Sequence, residues 1–320
     1  MYRVKPYESA HWPLAKRAIY KLYNQLWRDT KRKLILNSVA KLSPCPPFTR
    51  KYPTYSLHTL LDYKNFQMGV VSYKSLVLAA QQPINFVFHD DGSLTTLQIN
   101  YLHAHFPGCR VISQAEARQY MNDYLTPFPN CLHVRQNHVL FPKVTDVKAY
   151  ATAERIGFMD SDVLFFRKPT HFLDALENGC HTNYFNKDIK TSYFLPASVL
   201  SEIFSIQVKE QLNSGLWVVN RADIDIPRLE RFIQDNRLPD LVQQYLLDQT
   251  LLAVLASSSV HSVDYLPPTY DVSFEKDVTT TVCKHYVGRI RHGFELEGLT
   301  YLLKEMDFIN RWELFVKTYN

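Results

Sequence analysis

Two carboxylates stand two residues apart in Phe158-Met159-Asp160-Ser161-Asp162-Val163-Leu164-Phe165, enclosed by apolar, strand-forming runs. Residues two apart in an extended chain share a face, so a slight turn brings Asp160 and Asp162 to a single cation. Hard carboxylate oxygens suit Mg²⁺ or Mn²⁺, ions that complete their shell with water and substrate phosphates. The chemistry on offer is neutralisation of a departing diphosphate. Taken alone the tripeptide also fits a solvated turn; its place directly after an apolar strand is what sets it apart. A hydrolase with an aspartyl nucleophile shares Asp-x-Asp after a strand, but its pattern has Thr or Val two residues beyond the second Asp, where this chain has Leu164.

Far downstream lies Lys284-His285-Tyr286-Val287-Gly288-Arg289-Ile290-Arg291-His292. A lone histidine is most often a hydrogen-bonded structural residue, but one followed by Gly and two arginines has the makings of a phosphate and metal site. His285 would be a third metal ligand. Gly288 would admit phosphate close to the backbone, and Arg291 would offer forked donors to the diphosphate as charge builds on it. Arg289 either shares that work or faces solvent. His89-Asp90-Asp91-Gly92-Ser93 is read as structure only, with Asp-Gly forming a tight turn and Ser93 or Thr95 capping the helix that follows.

These residues need a scaffold, and the hydrophobic pattern supplies an alternating one. A strand at 56–61, a helix at 70–80 and a strand at 84–88 make a β-α-β unit, which requires a parallel sheet. A helix from about residue 93, a strand at 110–112, a helix at 114–124, a Pro-rich link at 127–129 and a helix at 145–153 lead into the strand 155–159, which ends at Asp160. Ligands of doubly wound sheets bind beyond the carboxyl ends of such strands. Downstream, 216–219 reads as a strand, 227–256 as two helices parted near Pro239, and 279–286 as a strand delivering His285 to a loop. Upstream, Leu14, Ala18, Leu22 and Leu26 recur at helical spacing across 11–39. The organisation expected is a helical N-terminal extension over 1–54 and an α/β catalytic domain over 55–320.

Composition narrows the class. Lys and Arg number 36 against 31 Asp and Glu, and this modest excess fits a phosphate-bearing small molecule without requiring nucleic acid. The basic run Lys31 to Lys33 beside Arg28 reads as a solvated helix face. Five scattered cysteines, Cys45, Cys109, Cys131, Cys180 and Cys283, show no CxxC spacing, which argues against a disulfide framework or structural zinc and for reducing cytosol. No apolar run follows Met1 and none approaches 18 residues, so neither a signal peptide nor a transmembrane segment is expected. Cytoplasmic localisation follows, peripheral to a membrane if a partner recruits the chain there.

With these motifs in view, the sequence resembles the retaining GT-A glycosyltransferases of glycosyltransferase family 8, and more closely bacterial relatives reading "HDDGSLT", "DSD", "NSGL" and "HY-x-G", from about Ser56 to Phe294. The resemblance implies a Rossmann-like, mixed, mostly parallel sheet flanked by helices. It also implies that Asp162 is the principal metal ligand, that Asp160 touches both metal and ribose, and that His285 completes the metal site. Arg291 falls where the family has a diphosphate-gripping lysine, while His292 and Gly293 replace its Pro-Trp. Lys143 falls where the family has a basic residue near the donor sugar, and Asp188 where it has a carboxylate reading sugar hydroxyls. Asn213, Ser214 and Gly215 match its donor-sugar motif, Asp248 and Gln249 its Asp-Gln pair at the reacting carbon, and Asp62 its uracil-binding residue. Lys143 and Asp188 also fit plain surface ion-pairing residues.

The expected function is therefore transfer of a hexose from a UDP-sugar to a saccharide, lipid-linked or protein hydroxyl, with retained anomeric configuration and Mn²⁺ or Mg²⁺ as cofactor. A non-catalytic nucleotide-sugar-binding protein and a sugar nucleotidyltransferase are the alternatives, the latter lacking a Gly-rich phosphate loop near the N-terminus. Segments 182–196 and 265–276 are candidate acceptor-facing stretches. Their aromatics, Tyr184, Tyr193, Phe194 and Tyr270, fit sugar stacking or, more simply, core and lid packing.

Overall fold

The computed structural model describes residues 41–51, 53–178, 181–273 and 276–319, together with Thr30, Ser38 and Val39. Apart from Thr30, Ser38 and Val39, the helix expected over 11–39, with its basic run at 31–33, lies outside the described residues, as does Cys180.

The central sheet has seven strands in the order β3-β2-β1-β4-β7-β6-β8. They span Tyr55–Leu61 (β1), Phe86–Asp90 (β2), Arg110–Ile112 (β3), Arg155–Met159 (β4), Thr182–Lys187 (β6), Leu212–Asn220 (β7) and Ser262–Tyr265 (β8). Neighbours pair in parallel except around β7, which runs antiparallel to both β4 and β6. This is the mixed, mostly parallel α/β sheet the sequence implies. Strands buried on both faces read as continuous apolar runs, and β4 is buried throughout. Side chains alternate between two cores. Phe158 stacks on Trp217 with ring centroids 5.4 Å apart on one face, while Met159, Leu216 and Val218 join the core on the other.

A second sheet of three short strands, β5 (Val163–Phe165), β10 (Cys283–His285) and β9 (Tyr270–Asp271), runs β5-β10-β9. β10 is antiparallel to β5, with His285 opposite Val163, Lys284 opposite Leu164 and Cys283 opposite Phe165. This register carries the site: pairing the residue after Asp162 with His285 sets imidazole and carboxylate side by side, although the two are remote in sequence.

Several boundaries depart from expectation. The second strand starts at Phe86 rather than at 84, because Ile84 still belongs to the turn, where its carbonyl accepts from the Phe86 N–H at 3.1 Å. The link at 127–129 is short, for Pro129 opens a helix, Pro129–Asn137. Pro142 likewise opens Pro142–Tyr150, so that helix begins before 145 and stops short of 153. Proline fits a first helical turn, where its missing N–H would have no partner. The strand expected over 279–286 shrinks to Cys283–His285, since Asp277 turns the preceding chain through its carboxylate and carbonyl. Segment 182–187 is strand β6, buried in the sheet by its pairing with β7 and β8. The helices on either side of Pro239 are Ile226–Ile233 and Leu247–Ser257.

The turn after β2 behaves as read. Asp90 Oδ1 accepts from the Gly92 and Leu94 N–H groups, and Gly92 adopts φ +99°. Thr95 and Gln98 form a reciprocal capping box on the helix Thr96–His105.

Candidate metal and donor site

Asp160 leaves the end of β4, its N–H held by the Gly215 carbonyl of β7 at 2.7 Å. Two residues on, Asp162 is buried beneath the small sheet, and its carbonyl accepts from the Tyr286 N–H at 3.0 Å. His285 Nε2 lies 3.0 Å from Asp162 Oδ1 and 3.7 Å from Asp160 Oδ2. One ligand atom from each of the three side chains falls within 4.8 Å of the others. Sequence reasoning placed these three residues on one cation, and the fold brings them together.

The histidine's orientation follows from its neighbours. Asn213 Oδ1 accepts from the Gly215 N–H at 3.0 Å and lies 2.8 Å from His285 Nδ1. A backbone N–H only donates, so the Asn213 atom it meets is the oxygen, and His285 Nδ1 must then donate to that same oxygen. The neutral ring therefore turns the lone pair of Nε2 towards the two aspartates, the arrangement metal-binding histidines use. Asp162 Oδ1 is buried and has no hydrogen-bond partner. Such an orphaned acceptor facing an imidazole lone pair is costly unless a cation joins them. Their 3.0 Å spacing is what two ligands at right angles need about 2.1 Å from an ion such as Mg²⁺. The residues present thus fit a divalent cation.

Gly215 is required by this packing. A Cβ there would sit 1.9 Å from His285 Cε1, so the imidazole occupies the space any other residue would fill. The Asn-Ser-Gly motif therefore seats the His285 imidazole beside the aspartates, a part that the motif's residue types alone did not suggest.

Two cationic side chains, Arg291 and Lys143, flank the pair. Burial pushes the Asp162 carboxyl up, but the facing His285 ring, in its protonated form, and the Arg291 guanidinium overcome this and hold it below the usual carboxylate range. Arg291 donates through Nη2 and Nε to Asp162 Oδ2 at 2.8 and 3.1 Å, while its side chain stays 52% exposed at the rim. Lys143 is buried and not a surface residue: its Nζ lies 2.7 Å from Asp160 Oδ1 and 3.7 Å from Asp248 Oδ2. Burial alone would depress its ammonium; the carboxylates of Asp160 and Asp248 outweigh it and hold the group above its ordinary value. Asp248 Oδ2 is a second buried oxygen without a hydrogen-bond partner.

Other expected residues have local work. Gln249 Oε1 accepts from the Ser214 N–H at 3.0 Å, and Nε2 donates to the Ser192 carbonyl at 2.8 Å, with Asp188 Oδ2 at 3.5 Å. Asp62 Oδ1 accepts from the Lys64 and Asn65 N–H groups and Oδ2 from the Asn65 side chain, closing the turn before the helix Phe66–Ala80. Gly288 has φ +32° and open space where a Cβ would project. Tyr193 and Tyr270 are buried, Tyr193 donating to the Lys209 carbonyl, so both are packing residues.

No family model and no curated protein matches the chain. Among solved structures it is similar to the galactosyltransferase LgtC in complex with donor and acceptor sugar analogues, at 16% identity and TM-score 0.48, over 73% of this chain and 87% of that one. It is similar to the bifunctional glycosyltransferase WbbM at 14% identity and TM-score 0.47, over 84% of this chain and 54% of that one. Mouse xyloside xylosyltransferase 1 matches at 14% identity and TM-score 0.45, over 74% of this chain and 98% of that one. Likenesses this distant do not decide the chemistry, which is set by the side chains of the site itself.

Proposed function

We propose that this chain is a metal-dependent glycosyltransferase of the GT-A class. In this reading it moves a hexose from a UDP-sugar to a hydroxyl of a saccharide, lipid-linked or protein acceptor, with retention at the anomeric carbon. One observation carries the reading: Asp160, Asp162 and His285 converge with ligand atoms within 4.8 Å at the carboxyl end of a parallel strand. Asp160, Asp162 and His285 would hold Mn²⁺ or Mg²⁺, which when bound neutralises charge on the leaving diphosphate. Arg291, at the rim, adds guanidinium donors to the same oxygens, and Gly288 leaves the backbone open beside it. Lys143 bridges Asp160 and Asp248, and fixes which oxygens face the donor. Asp248 Oδ2, which accepts no hydrogen bond and lies 3.7 Å from Lys143 Nζ, would meet the sugar, with Asp188 near it through Gln249. Because both ends of the Gln249 amide are engaged inside the protein, we assign it to positioning Ser214 and the loop at Ser192. Asp62 shapes the loop at the end of β1, where a nucleotide base would lie.

The test is release of UDP from a panel of UDP-sugars with Mn²⁺ and with chelator. Metal-dependent release, lowered about 100-fold or more in Asp162→Ala, is the expected result. No release from any donor, with donor binding intact, would leave a nucleotide-sugar-binding protein instead. Pyrophosphate release from a nucleoside triphosphate would make it a nucleotidyltransferase.

A further inference from the structure

At the opposite end of the sheet from Asp160, a cavity of about 680 Å³ is lined by Arg110, Glu116, Gln119, Tyr120, Tyr150 and Arg221, with Asp123 and the short side chains of Ala149, Ala151 and Thr152 completing it. Its position follows from the strands. Arg110 opens β3, Thr152 precedes β4, and Arg221 follows Asn220, the residue of antiparallel β7 that pairs with Arg155 at the start of β4. It shares no residue with the metal site, which lies beyond the other end of β4.

The volume lies in the range of small-molecule sites, and the wall is chemically mixed. Two guanidiniums and two carboxylates face it, and Arg110 is paired with Glu116 at 3.2 Å. An anion would meet Glu116 and Asp123, and a cation would meet Arg110 and Arg221, so neither charge is favoured. A neutral ligand rich in hydroxyls uses both kinds of group, since each hydroxyl donates and accepts. Two buried polar atoms of wall residues have no partner: Tyr150 Oη, on a nine-tenths-buried residue, and Arg221 Nε. Buried groups of this kind are normally satisfied. Tyr120 is 44% exposed and packs against Tyr150 at 5.0 Å, leaving ring surface on which the apolar face of a pyranose can lie. Arg110 sits over the Tyr150 ring at 4.9 Å and stiffens this wall.

We propose that this cavity is a second binding site, for a neutral saccharide, separate from the metal centre. The proposal does not rest on the catalytic reading.

The experiment is ligand-observed saturation-transfer NMR on the full chain with maltose, cellobiose, lactose and chitobiose, and with inorganic phosphate and pyrophosphate as anionic probes. At least one disaccharide is expected to bind. Tyr120→Ala should weaken it about three- to ten-fold through lost stacking, and Thr152→Trp should block it by filling the space, each with an unchanged melting curve. Asp162→Ala should leave disaccharide binding intact. Absence of binding by all four disaccharides overturns the proposal. So does binding lost in Asp162→Ala but kept in Thr152→Trp, which would place the sugar at the metal centre, or displacement of the bound sugar by phosphate.

Discussion

At the scale of single residues, the candidate metal site is governed by a few atoms whose partners leave little choice. Asn213 Oδ1 receives two donors, and through them fixes both the β7 backbone and the His285 tautomer. Asn213→Leu should keep the fold yet lower Mn²⁺ affinity about 10- to 100-fold, the usual cost of losing a partner behind a metal ligand; isothermal titration of wild type and variant with Mn²⁺ checks it, and equal affinities would remove Asn213 from the site. Gly215→Ala has a steeper consequence, because its Cβ would overlap the imidazole itself. Mn²⁺ binding and donor hydrolysis should both be lost while the far-ultraviolet circular dichroism spectrum persists. The convergence of Asp160, Asp162 and His285 was legible in the sequence, since residue type and strand-end placement advertise it. The seating role of Asn213 and Gly215 was not, because a side-chain acceptor shared between a backbone and an imidazole leaves no periodicity or composition signal. Nor does the sequence reveal that Gln249 is tied at both ends of its amide.

At the scale of elements, β1 and β2 bring a polar chain into the core. His58 lies 2.8 Å from Ser56 Oγ and 2.9 Å from His89 Nε2, all buried. Burial, then the neighbouring His89 and Arg110, hold the His58 imidazole well below its ordinary range; burial with Arg110 and Arg135 lowers His89 to about 3. In the unfolded chain both titrate near 6.5, so between that value and the folded one the unfolded state binds more protons. Stability should therefore be complete above about pH 6.5 and fall as pH drops, at about 1.4 kcal/mol per pH unit for each extra proton taken up by the unfolded chain. Urea denaturation at pH 7.5 and at pH 5 measures this, and His89→Phe should flatten the slope. A slope unaltered by that substitution would show that other groups set it. Strand β4 was readable because two-sided burial writes an apolar run. Two helix starts were missed: Pro129, read as part of a link, and Pro142, outside the helix read at 145–153, both occupy first-turn positions. Strand β6 was missed because Thr182–Lys187 mixes polar and aromatic residues, with Asn183 and Asn186 buried by pairing rather than by hydrophobicity.

At the scale of the molecule, chain segments far apart in sequence close the fold together. Trp312 Nε1 donates to the Ser43 carbonyl at 2.9 Å, Glu313 accepts from the Ser43 N–H and hydroxyl, and the buried Lys74 Nζ donates to the Ser43 carbonyl at 2.8 Å. Lys74 also lies 4.5 Å above the Trp312 ring. Val39, Leu42 and Cys45 sit in the same core as β1 and the helix Phe308–Tyr319. Trp312→Ala should therefore destabilise the whole chain by about 3–5 kcal/mol, read as a cooperative shift in urea midpoint; a shift confined to the last helix would mean that this segment is an independent appendage. The described cysteines Cys45, Cys109, Cys131 and Cys283 are free, as their spacing implied. No helix among the described residues is long and apolar enough to cross a membrane.

The central claim is that three side chains from the β4 end and from β10 share one cation. Mn²⁺ binding followed by electron paramagnetic resonance in the presence of UDP tests it most directly. One bound ion per chain in the wild type, abolished by Asp162→Ala and weakened in His285→Ala, is the predicted outcome. Undiminished Mn²⁺ binding by Asp162→Ala would place the metal elsewhere and remove the basis of the proposed activity.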